Sequence, residues 1–447
     1  MNWKQGIRAT AFLLIFVVLF VNISRILTLS SDDHEYHGMA AIYEEEEKIL
    51  DAVYIGSSNT YAFWNPMVAW GKYGIAVLTY TCSSQPFMIA EYLLKEARKT
   101  QPDAVYLFNI NTIGDRGLGG VKADDVVMHR VLDSMPLSLN KLQLTDYMCD
   151  ILDLSFSDRL EYYLPIVKYH SRWDEINESH FSVKPNNFKG ANFYNYSFYT
   201  IENISSIYNL TDNKRDIKQD LLTSLNSLLD YCDENNVKAV FVTAPRAEEI
   251  QNIEKINTVN EIIKSRGYPT INILENYKDL NLDLTQDYYN NNHTNIHGSI
   301  KYTQYISEYL IENYGFKDKR NDARFSKWNE GYKEYEKLMK PYVLDFEFDS
   351  VHRNFELQAP DNIKVVNTDS AISVTWNKSE KADGYVVFRK HGMGSAWREM
   401  GTSYNTSFND TNIKQDKNYY YTVVPFTVKD GERYYGNYLY KGIYIRS

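Results

Sequence analysis

Residues 51–66 read Asp51-Ala-Val-Tyr-Ile-Gly56-Ser57-Ser58-Asn59-Thr-Tyr-Ala-Phe-Trp-Asn65-Pro66. Ala52, Val53, Tyr54 and Ile55 form an apolar run with no polar break, the pattern of a strand buried on both faces. The run stops at Gly56-Ser57-Ser58. A serine just past a buried strand, at a sharp turn, has its hydroxyl lifted clear of the sheet, where a nucleophile belongs. Taken alone, Gly-Ser-Ser is equally a plain turn without chemistry. The rest of the chain has to supply a scaffold, a base and donors for an oxyanion.

Outward from that stretch the pattern is α/β. Gly74–Leu78 reads as a second strand, 85–99 as a helix with Phe87, Leu93, Leu94 and Ala97 on its apolar face, and Asp103–Ile110 as a third strand. The alternation resumes with a helix from Asp216 to Glu234, a strand at Val237–Thr243, a helix at Ile253–Arg266 and a short strand at Thr270–Leu274. A last helix is expected over Ser299–Tyr314. This order implies right-handed crossovers and a parallel sheet covered on both faces, a three-layer α/β/α domain. Residues 112–212 break the pattern with short, Tyr-rich helical pieces, including Pro136-Leu-Ser-Leu-Asn-Lys141 and Leu164-Pro-Ile-Val-Lys-Tyr-His-Ser-Arg-Trp173. They read as an insertion over the strand ends, with His170 and Arg172 as a structural hydrogen-bond cluster beneath it.

Between the last strand and last helix lies Asp287-Tyr-Tyr-Asn290-Asn-Asn-His293-Thr-Asn295-Ile-His297-Gly298. Acyl transfer through serine needs a hydroxyl beside a base, a group orienting that base, and donors facing the oxyanion. His293 is the best base, because its loop falls at the active edge of a parallel sheet. His297, beside Gly298 at a helix start, is expected to cap or pack. The two histidines have no acidic third ligand at a familiar spacing, so they are not read as a metal pair. His34 and His37, with acidic flanks, read as a solvated segment beside the membrane. No metal and no cofactor are called for.

The chain has 447 residues, 44% hydrophobic and 15% aromatic, enough for two domains with appendages. A formal net charge of −10 excludes nucleic acid as the main partner. Cys82, Cys149 and Cys232 make no framework and no CxxC pair. Lys4 and Arg8 precede an apolar run over Ala9–Ile23, which continues past Arg25 through Ile26, Leu27 and Leu29. Together these approach the roughly 20 residues of a spanning helix. A signal peptide is the rival, but no small-x-small cleavage site follows. Basic residues before the run, with Asp32, Asp33 and Glu44–Glu47 after it, put the N-terminus in the cytoplasm and the remainder outside a cell membrane. The expected division is a cytoplasmic tip and anchor at 1–30, an α/β domain at 31–320, a charged linker at 321–356 and an all-β sandwich at 357–447. The last shows short alternating strands such as Ile372–Trp376, Gly384–Phe388 and Tyr419–Pro425.

The strand and Gly-Ser-Ser turn, an Asn after the third strand, and the Asp287…His293-x-Asn295-x-x-Gly298 block resemble the SGNH (GDSL-type) serine hydrolase superfamily over roughly residues 45–320. More narrowly, the chain resembles the membrane-anchored branch that modifies bacterial envelope polymers, including teichoic acid D-alanylation and exopolysaccharide O-acetylation proteins. The 136–141 and 164–173 text fits that branch. The resemblance implies Ser58 as nucleophile and His293 as base. It implies an oxyanion hole from the Ser58 N–H, the small residue after the second strand (Cys82) and Asn111. The family's Asp three residues before the histidine is here Asn290, and position 292 is also Asn. Asp287, six residues before His293, is the nearest carboxylate: either it reaches the imidazole, or a backbone carbonyl orients the ring, or the protein is catalytically weak. In the serine-protease template, Asp to Asn at that place costs about 10⁴ in rate. The family's glycine after the second strand is missing from Thr81–Gln85, and its Gly-x-Asn-Asp block reads Asn109-Ile-Asn111-Thr112. Residues 357–447 resemble a fibronectin type III module, with Trp376 at a core position and Tyr419–Thr422 on the strand of the tyrosine corner.

The function expected is an extracytoplasmic serine esterase or O-acyltransferase acting on a cell-surface glycopolymer. The alternative is a catalytically inactive, polymer-binding scaffold in an envelope biosynthesis complex. Arg172 and Arg246 raise a third idea, sulfate or phosphate esters, set aside for want of a metal cluster.

Overall fold

The computed structural model describes residues 3–28, 34–115, 125–181, 187–191, 198–201, 211–349, 352–368, 370–392 and 394–447. Five parallel strands form the central sheet: β1 (Ala52–Gly56), β2 (Val77–Thr81), β3 (Val105–Asn109), β4 (Ala239–Thr243) and β5 (Thr270–Asn272). Their order is β2-β1-β3-β4-β5. Val53 lies level with Leu78 on one side and Tyr106 on the other. Both faces carry a hydrophobic cluster, one including Leu93, Leu225 and Ile256, the other Tyr54, Tyr302 and Leu310. Burial on both faces is why these strands read as continuous apolar runs.

Fifteen helices are named here in chain order. The first is α1 (Trp3–Thr28), followed by α2 (His34–Ala40), α3 (Ser58–Phe63), α4 (Pro66–Tyr73) and α5 (Ala90–Arg98). The insertion carries α6 (Asn111–Asp115), α7 (Asp125–Ser134), α8 (Leu139–Ile151), α9 (Phe156–Tyr163) and α10 (Ile166–Tyr169). Then come α11 (Gln219–Glu234), α12 (Ile250–Ser265), α13 (Ile296–Tyr314), α14 (Ser326–Met339) and α15 (Asp345–Asp349). α1 is long and apolar enough to cross a membrane, with a mean hydropathy of 2.3 over its best window.

Four local expectations are corrected. The second strand begins at Val77, not Gly74, because α4 occupies the residues before it. Pro66 opens α4, the Asn65 side chain caps it by accepting from the N–H groups of Met67 and Val68, and Gly74 ends it at φ 67°. The helix expected over Ser299–Tyr314 is α13 and starts at Ile296, because Asn295 caps it by accepting from the N–H groups of His297 and Gly298. His297 is therefore helical. The segment read as solvated is α2, which packs against α7 and β2 and buries His37; the His34 side chain lies outside the described residues. The stretch 321–356, expected as a linker, contains α14 and α15. Trp328 and Tyr335 of α14 are fully buried, and the Tyr335 hydroxyl accepts from Asn65 Nδ2 at 3.0 Å.

After residue 360 the chain forms two antiparallel sheets. One has the order β11 (Arg398–Ser403), β10 (Gly384–Lys390), β13 (Asn418–Lys429), β14 (Glu432–Tyr435), with β15 (Ile443–Arg446) also on β13. The other is β12 (Ser407–Asp410), β9 (Ile372–Thr375), β8 (Lys364–Asn367). Ile372, Val374, Trp376, Tyr385 and Tyr421 fill the space between them. The Tyr419 hydroxyl accepts the Lys414 N–H at 2.8 Å, a side chain pinning the backbone just upstream of its own strand.

This sandwich is docked on the α/β domain. The His297 ring stacks on Tyr440 at 3.7 Å with an 8° interplanar angle. Glu347 of α15 meets His297 Nδ1 at 3.0 Å and the Tyr438 hydroxyl on its other oxygen. The Tyr440 N–H donates to Gln286 Oε1 at 3.1 Å.

Candidate active site

β1 connects outward to β2 and its other neighbour β3 connects the opposite way to β4, so the strand order reverses between β1 and β3, and the C-terminal end of β1 faces the crevice where open parallel sheets bind ligands. Ser57 is extended and the helical turn of α3 begins at Ser58, so the strand-to-helix break falls on the serine. The half-buried Ser58 side chain stands at that break. Gly56 is required there by packing. A Cβ would meet Thr60 Oγ1 at 2.0 Å and Asn109 Cβ at 2.8 Å, so no side chain fits.

The base arrives on a small hairpin, β6 (Tyr288–Asn290) and β7 (His293–Thr294), with Asn290 paired opposite His293. The two-residue Asn291-Asn292 turn makes residues three apart in sequence into cross-strand neighbours. Thr294 Oγ1 donates to Ala62 O of α3 at 2.7 Å, and the Ala247 N–H donates to Asn291 O at 2.9 Å. The hairpin is thus held against the serine helix on one side and the loop after β4 on the other.

The outcome is a three-residue line. Ser58 Oγ lies 2.9 Å from His293 Nε2, and His293 Nδ1 lies 2.9 Å from Asn290 Oδ1. The same Asn290 Oδ1 accepts the Asn292 backbone N–H at 2.9 Å. That second bond fixes the amide, because only the oxygen can accept from a peptide N–H. The oxygen therefore also faces Nδ1, so Nδ1 carries the proton and Nε2 presents its lone pair to the Ser58 hydroxyl. Burial, then the nearby charge of Arg246, lowers the His293 pKa to about 4. The imidazole is neutral at ordinary pH and able to accept a proton.

Asp287 does not orient His293, a correction to the sequence expectation. It stands in the bend before β6, and the register shifts between Tyr288 and Asn290. Its fully buried carboxylate takes Lys301 Nζ at 2.7 Å and the Asp283 N–H at 2.7 Å. Two of the three expected oxyanion donors are committed elsewhere. The Cys82 N–H donates to Gln85 Oε1 at 3.1 Å. Asn111 Nδ2 donates to Ala244 O and to Glu248 Oε1, both at 3.0 Å. Cys82, Cys149 and Cys232 are all buried and none is in a disulfide. Among the described residues no three of His, Cys, Asp or Glu gather as a metal site.

Arg246 is the site residue whose role the sequence did not reveal. Its guanidinium pairs with Glu248 and lies 3.4 Å from Asn111 O, which puts a buried cation beside His293. The Arg-Ala-Glu spacing after a buried strand was its only sequence signal. Arg172 is elsewhere: its Nη1 donates to Leu27 O at 3.2 Å, at the end of α1, and its Nε pairs with Glu175. His170 is exposed, with Nδ1 near Val167 O at 2.8 Å.

No family model matches the chain, and no curated protein matches it. Solved structures similar to it include a Fn3-like protein from Clostridium thermocellum, 23% identical over 18% of this chain and 88% of that one, with a TM-score of 0.16. A fibronectin type III domain of human collagen XX is 17% identical over 21% of this chain and 96% of that one, with a TM-score of 0.17. Neither carries an argument about the α/β domain or its chemistry.

Proposed function

We propose that this chain is an SGNH-like serine acyl-esterase or O-acyltransferase of the cell envelope, with a fibronectin type III-like module behind its catalytic domain. The observation that carries the reading is the Ser58–His293–Asn290 line with its pinned amide. Ser58 Oγ attacks an ester carbonyl as its proton passes to His293 Nε2. The tetrahedral intermediate collapses to an acyl-enzyme, and the leaving alcohol takes that proton from His293. Water or a sugar hydroxyl then attacks the acyl-enzyme, giving up its proton to the same nitrogen, and the second tetrahedral intermediate expels Ser58 Oγ, which takes that proton back as the acid or acylated sugar is released. Arg246, paired with Glu248, keeps its charge near His293, and of the expected oxyanion donors the Cys82 N–H and the Asn111 amide are committed.

An apolar α1 with Lys4 and Arg8 in its first turns favours an anchored domain outside the membrane, and that setting suits a large, immobile glycopolymer. The committed Cys82 and Asn111 donors favour the second reading, a polymer-binding scaffold without turnover. A serine-directed fluorophosphonate separates them. Labelling of the purified full chain, abolished in Ser58→Ala and reduced at least 10²-fold in His293→Ala, is expected for the enzyme. Folded wild-type protein that takes no label would exclude it.

A further inference from the structure

Two stretches that stood out in the sequence have no part in the serine site: 136–141 and 164–173. Both converge on the C-terminal end of α1. There a cavity of about 660 Å³ lies between Phe20, Ser24 and Thr28 of α1 and the insertion residues Pro136, Leu142 and Leu164. That is within the roughly 300–1,000 Å³ of sites for small organic ligands. Its lining is mainly apolar. Leu137, Leu142 and Leu164 line it and still remain 79%, 38% and 41% exposed, so the chamber opens sideways rather than closing into a core.

Depth along α1 says what surrounds that opening. A hydrocarbon layer of about 30 Å takes about 20 helical residues. Counted from Ala9, just after the charged Arg8, that length ends at Thr28. The chamber wall from Phe20 to Thr28 therefore lies in the leaflet on the side of the folded domains. The Arg172 bond to Leu27 O holds α10 and the following turn to the same level. Phe156 and Trp173, 80% and 62% exposed, are further apolar side chains of the insertion. Next to the chamber, and sharing Thr28, Tyr36 and Asp133 with it, is a second cavity of about 250 Å³ lined by Arg130, Lys168 and Arg172. At the shared Asp133, Oδ2 takes His129 Nδ1 and the Tyr169 hydroxyl, each at 3.0 Å, while Oδ1 is buried without a hydrogen-bond partner among the described residues.

We propose that the insertion is a lipid-binding cap: the apolar chamber holds a hydrocarbon chain of an anionic membrane phospholipid, and the adjoining basic cavity holds its phosphate. The pairing of an apolar slot with Arg130 and Lys168 at one edge, beside the Glu175-paired Arg172, matches an amphiphile. An apolar helix of a partner protein would use the slot and leave the basic cavity idle. The assignment is independent of Ser58 chemistry.

Photolabelling tests it. The full chain is reconstituted in phosphatidylcholine vesicles containing either phosphatidylglycerol or phosphatidylcholine with a diazirine on one acyl chain. Adducts are expected within residues 139–165 as well as on α1, several-fold more with the phosphatidylglycerol probe. Leu142→Trp, which fills the chamber from an exposed position, should remove the 139–165 adducts and keep those on α1. Leu137→Trp serves the same purpose should the first variant not fold. Arg130→Gln with Lys168→Gln should equalise the two probes. Adducts confined to α1 would overturn the chamber, and equal labelling of wild type by both probes would overturn the phosphate site.

Discussion

At Asn290 the deciding matter is which amide atom faces the imidazole. In the serine-protease template an asparagine in the orienting place costs about 10⁴, because its amide favours the wrong tautomer. Here the Asn292 N–H holds the oxygen toward His293 Nδ1, so the tautomer is right and only the negative charge is missing. A charged acceptor strengthens a hydrogen bond by about 1–2 kcal/mol over a neutral one. Asn290→Asp should therefore raise the fluorophosphonate labelling rate about 10-fold, well short of 10⁴. Asn290→Leu, with no acceptor, should lower it at least as much. The pH profile follows from His293, whose pKa is held near 4 by burial and Arg246. The labelling rate should rise through about pH 4 and stay flat from about 5 to 8, and in Asn290→Asp the rising limb should move upward. A wild-type limb centred near 6.5 would contradict the neutral, buried imidazole. The same depressed pKa favours the native state fully above 6.5, and that contribution is lost as pH falls through about 4.

Among the elements, the hairpin of β6 and β7 and the start of α13 form one unit with two separate jobs. Asn290 serves the imidazole, while Asp287 serves the fold through its buried pair with Lys301. Gly298 belongs to that second job, since a Cβ there would meet the Asp287 carbonyl at 2.3 Å. Asp287→Ala leaves the Lys301 ammonium buried without its carboxylate. Removing one partner of such a pair costs about 3–5 kcal/mol. The expected result is a lower urea midpoint with an unchanged labelling rate per folded molecule at low denaturant. A large loss of rate in a fully folded variant would return Asp287 to the catalytic line.

For the whole molecule, the sandwich packs on the first turn of α13, four residues from His293. Glu347 is the contact at the centre. Burial alone would raise its pKa, but the His297 ring, Arg353 and the Tyr438 hydroxyl hold it down at about 2. A depressed carboxylate stabilises the fold above its ordinary value of 4.5 and loses that contribution as pH falls toward 2. Wild type should therefore lose stability steeply between pH 4.5 and 2. Glu347→Gln should be less stable at pH 6 and show a shallower fall over that window, read by thermal melts at several pH values. Parallel curves for the two proteins would remove Glu347 from the interface account.

Much of this was legible along the chain, because it rests on local periodicity. Ala52–Ile55 and the other unbroken runs are buried on both faces, and only parallel strands under two helical layers read that way. Alternation after residue 360 marked the sandwich, and the run after Arg8 marked a helix long and apolar enough to cross a membrane. The serine and histidine stood out because each follows a strand end. What orients His293 was not legible, because the answer depends on a two-residue hairpin and on one backbone N–H that fixes an amide. Nor could spacing tell that Gln85 takes the Cys82 N–H, or that Arg246 lies beside His293. Trp328 and Tyr335 sat in a charged stretch, and their partners are more than 250 residues away in sequence. Periodicity reports which face of an element is buried; only the tertiary structure decides which distant group meets it there, and those meetings set the tautomer, the charge and the donors of the site.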